Sequence, residues 1–258
     1  MNISIMYMLN IMRRSFRYCM LALALVGVVA CGSDNAKKDT LPEFEPFTLA
    51  VEDDSISVSI CYQRIANVDA NPIFTTIEEQ NYANSFDGYA VEPMSVEASA
   101  QLLMEDYSDS VAWDVDGGSY FYTMDQKAHL ERDDSILCYE TYIESYIGGA
   151  HGGYSLWFEC FDLTTGQLYD FAYLVDGEWG TAVRELICAR LNEVEPVNFI
   201  DSIDMLPAPS NALITKDGLT IVYQPYAVAC FAAGIISLEF TDAELAATGA
   251  PLVWVAEE

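Results

Sequence analysis

Positive charge is what this chain has least of. Its 258 residues hold 11 Lys and Arg against 40 Asp and Glu, a formal net charge of −29 at pH 7. Three of the basic residues, Arg13, Arg14 and Arg17, fall in the first 30 positions, which hold no acid. From Cys31 onward eight basic residues face 40 acidic ones, a formal −32. Nucleic acid is excluded as a partner, because its phosphates would be repelled. Anionic lipid surfaces are disfavoured on the same ground. The imbalance permits fast, salt-sensitive capture of a cationic partner, and it serves equally to keep an exported protein soluble.

Histidine is nearly absent as well. His129 and His151 lie in different predicted elements, so no paired-histidine zinc motif can form. There is no Cys-x-x-Cys spacing, which removes zinc-ribbon and thioredoxin chemistry. No Gly-x-Ser-x-Gly elbow and no phosphate-binding glycine loop followed by Lys and Ser/Thr occur. Internal repeats of 20–50 residues are missing too. Among so many acids, chance pairs such as Glu144/Glu159 are expected and do not read as a glycosidase dyad. Asp114-x-Asp116-Gly117 lacks the remaining spacing of a calcium loop and reads as a solvated turn. No catalytic residue, metal site or cofactor is therefore assigned, and the reading is of a non-enzyme. The alternative is a peptidoglycan-acting enzyme whose active site has no recognisable motif.

Disorder is excluded for the bulk of the chain by a hydrophobic content of 52%. Arg13, Arg14 and Arg17 precede an apolar run from Tyr18 to Ala30, ending in Val28-Val29-Ala30-Cys31. A basic stretch, a short apolar stretch and small residues before a cysteine predict a signal peptide over 1–30 with lipidation at Cys31. The run is too short for a good spanning helix. Met12 begins a more ordinary signal peptide than Met1 does. Residues 31–46 read as a polar tether. The expected place is the cell envelope, with membrane attachment through the lipid anchor only. Beyond Cys31, the five cysteines Cys61, Cys138, Cys160, Cys188 and Cys230 are an odd number, so at least one is unpaired. Strand parity predicts that Cys138 and Cys160 point to opposite sides of a hairpin, and the five read mostly as small buried hydrophobes.

Periodicity predicts an α+β fold with antiparallel sheets and a few packed helices. Ile56, Val58, Ile60 and Tyr62 alternate within one or two strands over 47–65. A helix is predicted from Pro72 to Phe86 and a second, capped by Ser95, through Tyr107. Residues 119–130 read as a strand. From Ile136 to Leu163 the chain reads strand, glycine loop, strand. Leu137, Tyr139, Thr141, Ile143 and Ser145 alternate on one side of the loop, and Tyr154, Leu156, Phe158 and Cys160 on the other. Leu168 to Leu174 reads as extended, and Asp176 as the cap of a helix reaching about Val194. After a Pro-containing connection over 196–209, residues 212–224 form a hairpin with Asp217-Gly218 as a type I′ turn. Ile235 to Phe240 is a strand, followed by the capping box Thr241-Asp242-Ala243-Glu244. The expected division is an N-terminal α+β part over 47–135 and a C-terminal one over 136–258.

The loop Gly148-Gly149-Ala150-His151-Gly152-Gly153 is either a specially shaped hairpin or a contact surface. His151 is expected to turn back onto the loop's own backbone, which glycine leaves uncovered. Tyr146 to Gly153, followed by Phe161-Asp162-Leu163-Thr164-Thr165-Gly166, resembles the Tyr-x-Gly-Gly-Ala-His-Gly…Phe-Asp-Leu-x-Thr-Gly pattern of a bacterial envelope family. That family includes the extracellular part of the RsiV anti-sigma factor, which binds lysozyme, and the non-catalytic region of some peptidoglycan deacetylases. A second block agrees: Thr215-Lys216-Asp217-Gly218-Leu219, then Tyr223-Gln224-Pro225-Tyr226-Ala227-Val228-Ala229, then Ala232-Ala233-Gly234-Ile235. The resemblance implies a fold like the RsiV ectodomain and a binding role, with lysozyme or peptidoglycan as the partner. At most 17 residues precede the apolar run, so a cytoplasmic sigma-binding role is not implied. The candidate ligand-binding residues are Gly148, Gly149, His151, Gly152, Tyr154, Pro225 and Tyr226.

Overall fold

The computed structural model describes residues 40–52, 56–111, 120–194 and 205–255. The signal segment, Cys31, most of the tether, the Asp114–Gly117 stretch and residues 195–204 of the Pro-containing connection lie outside the described residues. What is described is α+β: two sheets, mostly antiparallel, and four helices.

The larger sheet has five strands in sequence order: β1 (Phe44–Glu52), β2 (Ile56–Ile65), β3 (Tyr120–Glu131), β4 (Ile136–Tyr146) and β5 (Gly153–Asp162). β2 and β3 pair in parallel, all other neighbours antiparallel. A parallel pair needs a crossover. Here it carries two helices, α1 (Pro72–Ser85) and α2 (Val96–Val111). Asn71 starts α1, its side chain accepting from the Ile73 amide at 3.1 Å, with Pro72 in the first turn where its missing N–H costs nothing. Ser95 starts α2, its hydroxyl accepting from the Ala98 amide at 3.2 Å. Both helices cover one face of the sheet, where Ile56, Val58, Ile60, Tyr62, Tyr120, Tyr122 and Met124 are buried.

Part of the opposite face meets the second sheet, β6 (Ala212–Thr215), β7 (Gly218–Tyr223) and β8 (Ile236–Thr241). Ile136, Cys138 and Cys160 share a core there with Ile214, Ile221, Leu238 and the inward residues Val183, Ile187 and Leu191 of α3 (Gly180–Leu191). The fourth helix, α4 (Asp242–Ala247), opens on the complete capping box of Thr241 and Glu244. Arg132, in the turn between β3 and β4, fastens the sheets together. It bonds both carboxylate oxygens of Asp242, at 2.7 and 3.0 Å, and the Gly218 carbonyl. That turn holds three successive non-glycine residues at positive φ: Arg132 (55°), Asp133 (54°) and Asp134 (62°). Each costs on the order of 1–2 kcal/mol, and the bidentate ion pair at Arg132 offsets part of this.

Several expectations are corrected. Cys138 and Cys160 are direct register partners and lie on the same side of the sheet. The parity argument failed because this sheet is covered on both faces. Apolar alternation in β4 and in β5 marks opposite faces there, so it does not say which residues share a side. The turn at Asp217-Gly218 is not type I′. Thr215 pairs with Gly218, leaving Lys216 and Asp217 as the turn residues, and neither has a positive φ. Gly218 is required instead by close approach: a Cβ there would lie 1.9 Å from the Phe240 carbonyl oxygen. Asp176 does not cap α3, which begins at Gly180 without a side-chain cap. The Trp179 ring lies against Gly177, and Gly180 lies against the Val175 carbonyl. This packing holds residues 172–177 in tight turns. Leu168 makes a single bridge to Phe161 before a short 3-10 turn, Ala172–Val175, rather than an extended segment through Leu174. β1 begins at Phe44, within the stretch read as tether, and the 135/136 boundary falls between two strands that pair with each other.

Candidate functional site

Two segments far apart in sequence meet around one ring. The first is the loop from Gly148 to Tyr154. Gly148 and Gly149 take φ of 97° and 94°, which glycine adopts freely. A Cβ at Gly152 would come within 2.7 Å of the Ser145 carbonyl oxygen, so that position also demands glycine. Tyr146 donates its hydroxyl to the Gly149 carbonyl at 3.1 Å. His151 Nδ1 donates to the Gly152 carbonyl at 2.8 Å, which places a proton on Nδ1. The imidazole thus satisfies the loop's own backbone. Its ring stacks on Phe231, with centroids 4.0 Å apart and planes at 22°.

The second segment is Gln224-Pro225-Tyr226-Ala227. The Ala227 amide bonds the Gln224 carbonyl at 3.0 Å, and Tyr226 sits at φ 70°. Proline at the second position, positive φ at the third and a closing bond from first to fourth define a type II turn. Such a turn wants glycine or asparagine at the third position. Tyrosine there is backbone strain of order 1–3 kcal/mol. Tyr226 is 66% exposed, so core packing does not compensate. Its ring contacts Phe231 at 5.4 Å, and Tyr154 meets Phe231 edge-on at 5.4 Å. The result is a cluster of His151, Tyr154, Tyr226 and Phe231 at one end of the sheets. Gly148, Gly149 and Gly152 shape its loop side, and Pro225 shapes its turn. Phe231 was missed in the sequence, although it lies inside the second block; its neighbours Cys230 and Ala232 mark no periodic face.

The segments are held together by side-chain amides. Asn211 accepts from the Phe158 amide at 2.8 Å and donates to the Leu156 carbonyl at 2.7 Å. Gln224 accepts from the Leu156 amide at 3.1 Å and also donates to the Leu156 carbonyl. These amides occupy the outer edge of β5 as another strand would, and tie the turn to it. Beside the cluster, Glu144 is the cross-strand partner of Tyr154, and Tyr142 donates to Glu144 at 3.4 Å. Burial, then the Glu144 charge, pushes the Tyr142 phenol up. Acids and aromatic rings therefore share this face. Glu144 and Glu159 do not face each other: Glu159 pairs with Tyr139, on the helix-covered side.

The helix-covered side holds a different polar set. Glu78 accepts from the Tyr62 hydroxyl at 3.1 Å and the Ile65 amide at 2.9 Å. Burial pushes its carboxyl above the ordinary range in spite of those bonds. Gln126 donates to Asn81, Ser85 and Thr141 at 2.8, 2.9 and 3.0 Å, and accepts from the Gln63 amide at 3.0 Å. Glu78, Asn81, Gln126 and Thr141 are buried, Ser85 and Gln63 are half-buried at the margin, and the set positions α1. Among the described residues no group of three or more His, Cys, Asp or Glu is placed to hold a metal ion. No described helix is long and apolar enough to cross a membrane.

Residues 185–242 match the family model described as "Protein of unknown function (DUF3298)", so the chain carries a domain of that kind. The match spans most of α3, all of the smaller sheet, the Pro225–Tyr226 turn and Phe231. A solved member of the DUF3298 family from Bacteroides fragilis shares the fold, with a TM-score of 0.60, 18% identity, and coverage of 78% of this chain and 91% of that one. A DUF3298 family protein from Pseudomonas aeruginosa superposes with a TM-score of 0.53 at 14% identity, covering 81% and 94%. No curated protein matches the chain.

Proposed function

We propose that this chain is a non-enzymatic binding protein of the cell envelope, anchored by a lipid at Cys31. In this reading the cluster around Phe231 captures a cationic protein, with lysozyme the partner that the RsiV-like resemblance implies. The observation that carries the reading is Tyr226. A strained, exposed tyrosine inside the second block of a family resemblance points to a selected contact residue. Tyrosine offers a large contact area with little rotamer entropy to lose. The formal −32 and the acids beside Tyr154 suit Lys and Arg side chains, through ion pairing and cation–π contact. A peptidoglycan-acting enzyme would need a base and an acid converging on one cleft. Against that, Glu144 and Glu159 lie on opposite faces, and His151 Nδ1 is engaged by Gly152.

Titration calorimetry against lysozyme at low and high ionic strength tests the proposal. Binding should be measurable at low salt and weaken as salt rises. Tyr226→Ala should lower affinity by about 1–3 kcal/mol while leaving the melting temperature nearly unchanged. Tyr226→Gly should lose binding equally and gain about 0.5–1 kcal/mol of stability, because glycine relieves the positive φ. Absence of heat at low salt removes lysozyme as the partner. Binding intact in both variants removes the cluster as the surface.

A further inference from the structure

We propose that Cys138 and Cys160 form a cross-strand disulfide, and that a disulfide-class oxidant closes it before the two sheets pack. The pairing follows from backbone geometry. The Cys160 carbonyl accepts from the Tyr169 amide and the Asp162 amide donates to the Gln167 carbonyl. Further along, the Phe158 amide and both polar groups of Leu156 turn outward to Asn211 and Gln224. Even-numbered residues of β5 therefore point their backbone groups away from β4. Cys160 and its register partner Cys138 are thus a non-hydrogen-bonded pair. Such pairs hold Cα atoms about 4.5 Å apart with side chains close together, inside the range of about 4.4–6.8 Å that a disulfide spans. The two sulfurs are thiols in this structure and face each other at 2.8 Å. Among the described residues no other cysteine adjoins the pair: Cys61 and Cys188 are partly buried elsewhere, and Cys230 is exposed.

The chemistry is thiol–disulfide exchange. One thiolate attacks a sulfur of the acceptor disulfide, forming a mixed disulfide and releasing the acceptor's first thiol. The second cysteine, giving up its proton, attacks the protein sulfur of that mixed disulfide and releases the acceptor's second thiol. Two electrons pass from the cysteine pair to the acceptor, and both protons leave on its thiols. In the folded chain both sulfurs are fully buried, and burial pushes the Cys138 thiol well up. The folded Cys138 thiol is consequently a poor nucleophile, and burial shields both sulfurs from any acceptor. Closure belongs to the folding chain, when the β4–β5 hairpin exists and β6 does not yet cover it. This inference stands apart from the binding surface proposed above.

The test refolds the full chain from denaturant with a mixture of glutathione disulfide and glutathione. Free thiols are then alkylated under denaturing conditions and the peptides mapped by mass. The expected product links the peptides containing Cys138 and Cys160, with Cys61, Cys188 and Cys230 alkylated. The linked form should melt roughly 5–10 °C above the reduced one. Glutathione added to the folded, linked protein should leave the bond intact until denaturant is present. Alkylation of both Cys138 and Cys160 after oxidative refolding overturns the proposal, as does a linkage that joins either of them to another cysteine. The wild-type map decides the matter even if the Cys138→Ala/Cys160→Ala variant fails to fold. If that variant folds, its melting temperature should not respond to glutathione disulfide, and a shift equal to that of wild type counts against the pair.

Discussion

On its helix side the five-stranded sheet adds a network of buried polar side chains to an apolar core. Against the smaller sheet the buried core is apolar with two sulfurs, and the polar bonds of Arg132, Asn211 and Gln224 sit at its edges. The difference reflects what each partner brings. The buried residues of α1 are Phe74, Ile77, Glu78, Asn81 and Tyr82, of which two are charged or amide side chains. Its apolar stripe is thin, and hydrogen bonds supply the direction that apolar contact lacks. Asn81 and Gln126 exchange bonds with each other, so α1 can sit at one height on the sheet. The smaller sheet presents Ile214, Leu219, Ile221, Leu238 and Phe240, all buried. That layer has area to spare and tolerates changes of shape.

Breaking the polar layer should therefore cost the most. Gln126→Leu takes a partner from Asn81 and Thr141 in the buried layer and from Ser85 and the Gln63 amide at its half-buried margin. A loss of about 3–5 kcal/mol is expected from urea unfolding. In the opposing layer Ile221→Val should cost only about 0.5–1.5 kcal/mol. Equal losses from the two changes would erase the contrast drawn here.

The joint between the layers comes next. Arg132→Ala removes the bidentate bond to Asp242 and should cost about 2–3 kcal/mol at neutral pH. Burial pushes the Asp242 carboxyl up, but the bonds from Arg132 and Trp254 outweigh it and hold the group below its ordinary value of 3.8. With a folded value below the unfolded one, the stabilisation is present above pH 3.8 and lost as pH falls through the folded value. Wild type and variant should therefore converge in strong acid. A gap that stays constant down to the acid transition would show that Arg132 acts through packing alone.

Much of this architecture was legible in the chain, because local signals and tertiary demands agree. Ser95, Thr241 and Glu244 cap where their spacing says they should, and the alternation of Ile56, Val58, Ile60 and Tyr62 marks one buried face of β2. The failures share one cause, a local signal that served a distant contact. Gly218 reads as turn chemistry but is glycine for the sake of the Phe240 carbonyl. Cys138 and Cys160 were placed on opposite sides because one buried face was assumed, whereas the sheet is covered on both. The Gly148–Tyr154 and Pro225–Tyr226 segments were singled out separately. Their meeting at Phe231 had no local mark, since it depends on Asn211 and Gln224 bonding the edge of β5. In Gln-Pro-Tyr-Ala the proline marks the end of a strand, but the positive φ at Tyr226 has no sign in the chain, because a type II turn calls for glycine or asparagine there.

Within the polar layer, Glu78→Gln sharpens the account. Burial raises the Glu78 carboxyl above its ordinary value of 4.5, so the folded state holds that proton more tightly than the unfolded state. The sign follows: this residue's contribution is largest below pH 4.5 and declines as pH rises through the raised folded value. Glutamine can still accept from the Ile65 amide without carrying charge. The variant should lie within about 1 kcal/mol of wild type at neutral pH, with that decline removed from its stability profile. A profile unchanged from wild type would assign the decline to another group.

The smallest effect concerns Tyr139, at the edge of the same layer. Its ring is fully buried and packs edge-on against Phe44 and Phe161. Among the described residues its hydroxyl is one of three buried side-chain N and O atoms without a hydrogen-bond partner, although the Asn81 side chain lies near enough to act on the phenol. Burial, then the charges of Glu78 and Glu159, pushes the phenol far up, so it stays protonated at any working pH. A neutral hydroxyl desolvated without compensation opposes folding, and removing it restores that energy with little change of shape. Tyr139→Phe should thus stabilise the protein by about 0.5–1 kcal/mol, read as a higher urea midpoint at unchanged slope. The ring contacts with Phe44 and Phe161 survive the change, so the hydroxyl alone is being measured. A destabilisation of about 1 kcal/mol or more would mean that the hydroxyl is bonded in solution through a buried water. The polar layer would then be complete, and its contrast with the apolar layer sharper than drawn here.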